Sequence, residues 1–149
     1  MARVRYVRSV RLEAVIARLV ELLALEHVRI DRVFCAVSFG SKSRAYARIW
    51  GLPGPFVRLG VCEPAYVVEL IYENVASLPC SKLLGVLVHE LLHIPRSFSG
   101  GLRSHGDWSR WHNISSLVAS IEAAERRRLC RETRAALREA LEYTGARRN

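Results

Sequence analysis

Residues 86–94 read V-L-V-H-E-L-L-H-I, an H-E-x-x-H sequence set inside a continuous apolar segment. On a helix, His89 and His93 stand four residues apart, one above the other on a single face. Both rings can then reach one divalent metal. Glu90 lies beside that face, where its carboxylate can take a proton from a water that the metal polarises without being a ligand itself. The chemistry this pattern serves is metal-assisted hydrolysis. With the chain's own composition such a pattern arises by chance in roughly one sequence in a hundred, so its surroundings must decide.

Those surroundings predict a helix over 81–94. Ser81 offers an N-cap, and Leu83, Leu84, Leu87, Val88, Leu91 and Leu92 form an apolar stripe. Pro95 stops the helix, because the residue before a proline is pushed out of the helical region. Polar His and Glu side chains on a buried helix are costly unless paired or metal-bound. The plainer alternative is a core helix whose histidines find ordinary hydrogen-bond partners.

Two histidines fall short of the three protein ligands that a catalytic zinc site normally has. His105 is the favoured third ligand. The segment 95–106 (P-R-S-F-S-G-G-L-R-S-H-G) is rich in Gly, Ser and Pro and long enough to turn back over the end of the motif helix. Gly100 and Gly101 supply flexible backbone, and Gly106 allows close approach. His112, in the helical segment 107–114, is the rival, and Asp107 or a nearby glutamate is a third choice. His27, at the end of the first helix, is expected to meet that helix's last carbonyls.

Taken together, Y66-V67-V68-E69-L70, L78-P79 and the run from His89 to Gly106 resemble the putative phage metallopeptidase family. Its members carry a similar H-E-L-L-H-I-P followed by a Gly-Gly-Leu-Arg-x-His-Gly segment. More loosely the run is similar to SprT-like proteases, which follow H-E-x-x-H with a later His-Gly. The resemblance covers about residues 62 to 112. It implies a zincin-type fold, one zinc ion per chain held by His89, His93 and His105, and Glu90 as the base.

The coarse organisation agrees. A helix is predicted over 11–24, with Leu12, Val15, Ile16, Leu19, Val20 and Leu23 on one side. Residues 32–40 and 43–50 read as two strands joined by a turn around Gly40-Ser41-Lys42, and 65–72 as a third. The motif helix, the Gly-rich loop and a helical C-terminus follow. This order suits an α+β, zincin-like fold in which a small mixed sheet packs on the motif helix and its edge strand can pair with an extended peptide. Glu69 shares a face with Val67 and Ile71. It could accept from a metal-ligating histidine, although a carboxylate at a solvent-facing sheet edge is the favoured reading.

At 149 residues and 50% hydrophobic, the chain reads as one domain, 1–149, with a basic helical segment from about 120. No apolar run approaches the ~18 residues of a membrane span. The basic start leads into an amphipathic helix rather than a signal-peptide core, so a cytoplasmic protein is expected. Cys35, Cys62, Cys80 and Cys130 show no C-x-x-C pair, and each is expected to be a small buried apolar residue. The net charge of +9 gathers in Arg3, Arg5, Arg8 and Arg11 and in Arg126, Arg127, Arg128, Arg131, Arg134, Arg138, Arg147 and Arg148. Nonspecific nucleic acid is therefore a candidate partner. Interleaved Glu122, Glu125, Glu132, Glu139 and Glu142 offer i,i+3 and i,i+4 pairing instead, and no nucleic-acid motif is visible.

These readings converge on a zinc-dependent metallopeptidase acting on a protein or peptide, with Arg103 or His112 as candidate oxyanion donors. The alternative is a metal-containing DNA-binding or regulatory module of the same fold that hydrolyses nothing. A structural protein of a mobile element with a vestigial site is a third class.

Overall fold

The structure, a computed structural model, describes residues 3–146; Arg147 and Arg148 lie outside the described residues. Strands β1 (Arg5–Arg8), β2 (Val33–Phe39), β3 (Ala47–Trp50) and β4 (Tyr66–Ile71) form one mixed sheet in the order β1-β2-β4-β3. Helix α1 (Val10–Leu22) follows β1, and α2 (Gly54–Arg58) and α3 (Tyr72–Val75) are short. Helix α4 (Cys80–Leu92) carries the motif, and α5 (Trp111–Ala119) and α6 (Ala123–Ala146) close the described chain. The fold is α+β.

One face of the sheet is apolar by alternation. Val33, Cys35 and Val37 of β2 stand opposite Tyr66, Val68 and Leu70 of β4. These residues join Leu12, Ile16 and Leu19 of α1 and Leu83, Leu84, Leu87 and Leu91 of α4 in a single core. Residues of α6, among them Leu129, Leu137 and Ala140, complete it. α1 starts at Ser9, whose hydroxyl accepts the Leu12 N–H at 3.1 Å, a start signal the apolar periodicity alone does not reveal.

The predicted 32–40/43–50 hairpin does not form. β4 lies between β2 and β3, parallel to the first and antiparallel to the second. The more apolar strand takes the interior, where both faces are covered, and the short β3 with its Arg48 takes the edge. Asn74 holds the segment before β3 in place by donating to the carbonyls of Ser43 and Ala45 at 2.8 and 2.7 Å. β1 is an additional strand, paired antiparallel with β2, in a stretch that the sequence marks only as basic.

α4 also starts one residue before the predicted N-cap. Pro79, not Ser81, stands at the cap, and it offers no side-chain acceptor. The last turn closes at Leu92. His93 and Ile94 donate to the carbonyls of Glu90 and Leu91, three residues back, so the helix tightens before Pro95 is reached.

Of the four cysteines expected to be buried apolar thiols, only Cys35 is one. Cys80 is disulfide-bonded to Cys130, Cα to Cα 5.6 Å, which ties the first residue of α4 to α6 across 50 residues of sequence. Such bonds persist in oxidising compartments and in hyperthermophiles. Cys35 stays buried, where the apolar surroundings first, then the Glu13 charge, push its thiol far above its ordinary pKa. Cys62 is half-buried.

Several of the arginines are paired within the fold. Arg11 pairs with Glu132 at 2.8 Å and Glu139 at 3.2 Å, and Arg18 pairs with Glu21 and Glu125, so the basic residues of α1 mostly reach across to α6. Arg126 and Arg134 donate to main-chain carbonyls of Ala119, Ile121 and Leu78.

The disulfide yields a direct expectation. In the chain-entropy view a loop of this length stabilises by about 4 kcal/mol, and measured values more often reach about 2–4. Cys80→Ser combined with Cys130→Ser should lower the urea midpoint accordingly, as should reduction of the parent protein. Equal midpoints for oxidised and reduced protein would contradict the bond.

Candidate metal centre

α4 is apolar on the side that faces the core, and its last turns turn His89 and Glu90 toward a cleft against β3. His93, at the end of the helix, is fixed by main chain from both sides. Its Nδ1–H donates to the Arg103 carbonyl at 2.7 Å, and the Arg103 N–H donates back to the His93 carbonyl at 2.8 Å. With Nδ1 occupied, the His93 Nε2 is left for a ligand. His27 reaches this helix and not its own, lying 3.2 Å from the carbonyl of Ile94. Its predicted place at the end of α1 gives way because the chain turns there toward the start of the 95–106 loop.

The loop is anchored rather than free. The Tyr66 hydroxyl accepts the Gly100 N–H and donates to the Gly101 carbonyl, both at 2.8 Å, from within the interior strand β4. Phe98 packs edge-to-face on the Tyr66 ring at 4.9 Å. At Gly51, just after β3, a Cβ would stand 2.1 Å from the Gly100 carbonyl oxygen, which itself accepts the Leu52 N–H at 2.9 Å. Gly100 has φ +90°, the left-handed conformation that glycine tolerates. Gly101 and Gly106 do not share it, so the predicted close approach at Gly106 is not what that residue provides. The Ser109 side chain instead staples the turn, accepting from Gly106 N–H at 3.1 Å and donating to its carbonyl at 2.7 Å.

This loop carries His105 to the motif helix. The Nε2 atoms of His89 and His105 lie 3.1 Å apart, and one ligand nitrogen from each of His89, His93 and His105 falls within 4.8 Å of the others. A tetrahedral ion with bonds of about 2.0–2.1 Å needs nitrogens about 3.3 Å apart; the His89–His105 pair already stands near that spacing, and the three residues together form a group that could hold a metal ion. The Trp108 ring lies 4.9 Å from that of His93 and 5.5 Å from that of His89, and its N–H donates to the Ser104 carbonyl at 3.0 Å. It walls one side of the cluster. Nothing in the H-E-x-x-H pattern identifies Trp108 or Tyr66; each reads in the sequence as one more apolar residue.

Burial, then the charges of His93 and His105, lower His89 to about 4. His93 is lowered too, burial outweighing the hydrogen bond to Arg103. Both rings are neutral at neutral pH, the form that binds metal. Glu90 is only 8% exposed and its carboxylate has no hydrogen-bond partner among the described residues, and burial raises it to about 7. That is the range in which a general base works best. The histidines and Glu90 open onto a cleft of about 520 Å³ that runs along β3 and is walled by Trp50, Lys82, Leu102 and Trp111.

The other candidates stand elsewhere. His112 is exposed on α5 and takes no part in the cluster. Asp107 is exposed and paired with Arg110 at 3.4 Å. The Arg103 guanidinium rests over the Trp108 ring at 4.7 Å. Glu69 is neither a solvent-facing edge carboxylate nor a histidine acceptor. It is fully buried on interior strand β4 and accepts from Arg48 at 3.1 Å and the Trp50 indole at 2.8 Å. Burial alone would raise its pKa, but Ser38, Trp50 and Arg48 hold it below the ordinary carboxylate range. Its role is to fix two residues of the cleft wall.

Comparison with known families gives one result. The chain matches the family described as putative phage metallopeptidase over residues 4–133, and it belongs to that family. The match extends well beyond the 62–112 region that carries the sequence resemblance, taking in α1, the whole sheet and the first part of α6. Neither a curated protein nor a solved structure matches the chain. At the coarse level, membership points to a metal-using hydrolase of protein or peptide substrates. It lends nothing to the nucleic-acid expectation, and among the described residues no helix is long and apolar enough to cross a membrane.

Two outcomes follow from this geometry. Tyr66→Phe removes both hydrogen bonds to the loop while keeping the ring, and outer supports of this kind are worth about 10- to 100-fold in metal affinity. A competitive chelator titration should show that weakening, and unchanged affinity would mean the loop holds His105 without Tyr66. The second concerns pH in the metal-free protein. Between about 4 and the ordinary 6.5, the unfolded chain holds a proton on His89 that the fold lacks, so this residue makes stability rise with pH. Between 4.5 and about 7 the fold holds a proton on Glu90 that the unfolded chain lacks, which makes stability fall with pH. Glu90→Gln should therefore unmask a rising denaturation midpoint from pH 4 to 6.5, and a flat profile in that variant would contradict the buried histidine.

Proposed function

We propose that this chain is a single zincin-like domain and a zinc-dependent metallopeptidase. His89, His93 and His105 hold one zinc ion, and Glu90 is the general base. The observation that carries this reading is the convergence of three imidazole nitrogens beside a buried, unpartnered carboxylate in one cleft. Zinc in such a site supplies Lewis acidity and brings the pKa of water to about 7. Glu90, one residue from His89 and facing the same cleft, takes the proton as water adds to the scissile carbonyl carbon. It returns that proton to the amide nitrogen as the C–N bond breaks, so one peptide and one water give a carboxylate and an amine.

The sheet supports a peptide as the substrate. β3 is an edge strand, its outer side unpaired among the described residues, and Ala45 to Trp50 line the cleft beside α4. An extended chain can add to that edge by main-chain hydrogen bonds, which places one of its carbonyls near the histidines. Burial of Glu69 beneath Arg48 and Trp50 keeps the edge strand in position for this.

The test is elemental analysis of the purified protein with hydrolysis of casein, with and without chelator. One zinc per chain is expected, with chelator-sensitive cleavage. General-base catalysis contributes about 10²- to 10⁴-fold, so Glu90→Gln should lose at least the lower figure while keeping zinc. His105→Ala should lose zinc as fully as His93→Ala. Full zinc in His105→Ala would refute the ligand set, and unchanged hydrolysis by Glu90→Gln would refute the mechanism.

A further inference from the structure

The far end of the cleft holds a cation that nothing neutralises. Lys82, Val86, His89 and His93 fall on one stripe of α4, and with a rise of about 1.5 Å per residue Lys82 stands about 10 Å along the helix from His89. Its ammonium lies 4.1 Å from the centroid of the Trp111 ring and 5.7 Å from that of Tyr46, half-buried between them. Among the described residues no carboxylate or carbonyl comes within pairing distance of it, in contrast to Arg11 and Arg18 of α1, which pair with glutamates of α6.

The surroundings are built around this arrangement. Gly85 interrupts α4 where glycine costs about 1 kcal/mol relative to alanine. A Cβ there would come within 2.6 Å of the Trp111 ring, so the missing side chain is what seats the indole on the helix. The other cation of the cleft wall, Arg48, is neutralised by Glu69 at 3.1 Å. The sole acid lining the cleft, Glu90, lies eight residues beyond Lys82, about 12 Å along the helix. What remains is an apolar, aromatic slot that ends in a free positive charge. Cation–π contacts offset only part of the cost of drying an ammonium, and a carboxylate from outside would complete it.

We propose that Lys82 determines substrate specificity, the slot of Tyr46, Gly85, Trp111 and Lys82 taking a carboxylate of the bound peptide. That group is an acidic side chain or a free C-terminus within about three residues of the scissile bond, given about 3.3 Å per extended residue. The inference rests on the peptidase reading of the site.

The experiment uses labelled decapeptides that differ only in Glu, Gln or Lys near the centre, each with a free or amidated C-terminus. Binding to zinc-loaded Glu90→Gln protein is read by anisotropy, and cleavage by the parent is read by mass spectrometry. The peptide that carries the recognised carboxylate, Glu against Gln or free against amidated C-terminus, should bind about fivefold more tightly than its twin. Lys82→Met, which keeps the stem between the rings, should bring that ratio to one, and Lys82→Glu should invert it in favour of Lys. Lys82→Arg should restore most of it. Tighter binding of Glu than Gln among the amidated peptides assigns the side chain, and tighter binding of free than amidated Gln peptide assigns the C-terminus. Neither preference in the parent, or one unchanged in Lys82→Met and Lys82→Glu, overturns the proposal. Acid preference without any cleavage would instead uphold the slot and overturn the peptidase reading.

Discussion

Three imidazoles serve one ion only if they stay neutral and each turns a nitrogen to a common point, and that requirement organises the molecule around α4. Helix geometry meets it for two of the three, since residues four apart share a face. Neutrality comes from burial, which lowers His89 and His93 together. The third ring arrives on an exposed loop, so its position depends on what that loop is tied to. Tyr66 ties it to the interior strand at Gly100 and Gly101, and the paired main-chain hydrogen bonds between His93 and Arg103 tie it to the helix. The interior placement of β4 thus matters to the histidine cluster, because the strand that carries Tyr66 is paired on both sides.

The same strand serves the cleft from its other side. Tyr66 and Glu69 are three apart, so the alternation of a strand sends them to opposite faces. One supports the loop that carries His105 and the other holds Arg48 and Trp50 on the cleft wall. A buried carboxylate is tolerated here because Arg48 stands directly opposite in the antiparallel register and the indole supplies a second donor. Loss of either donor would leave a charge without enough partners in a dry place.

Much of this was legible in the residues, and the limits have physical causes. The H-E-x-x-H spacing is local, set by helix pitch, and the Gly-rich run after Pro95, long enough to turn back over the helix, makes His105 the favoured third residue of the cluster over His112 or a carboxylate. Helices α1 and α4 follow from apolar periodicity, with errors of one or two residues where Ser9 and Pro79, not the pattern, set the ends. Strand order is not local. A turn around Gly40 makes a hairpin between 32–40 and 43–50 natural, and only competition for the buried position, won by the more apolar β4, separates them. The disulfide has the same origin: 50 residues separate its cysteines, and helix packing alone brings them together. Glu69 misleads because a carboxylate reads as solvent-facing until Arg48 and Trp50 are known to cover it.

α4 is a weak helix by its own sequence. It has 13 residues, no side-chain N-cap, a glycine at its centre and two valines beside the first histidine. An isolated segment of that length and composition would be marginal in water. Its order therefore comes from outside, from leucines sealed in the core, from the Cys80–Cys130 bond at one end and from Arg103 and His27 at the other. The glycine that weakens it is the one that admits Trp111, and the residues that would strengthen a surface helix are absent because its faces are taken by core and cleft. Geometry at the histidines is then a property of the whole packed domain. Changes at Leu137 or Ala140 on α6, remote in sequence from the H-E-x-x-H run, act on the metal site through the core they share with it.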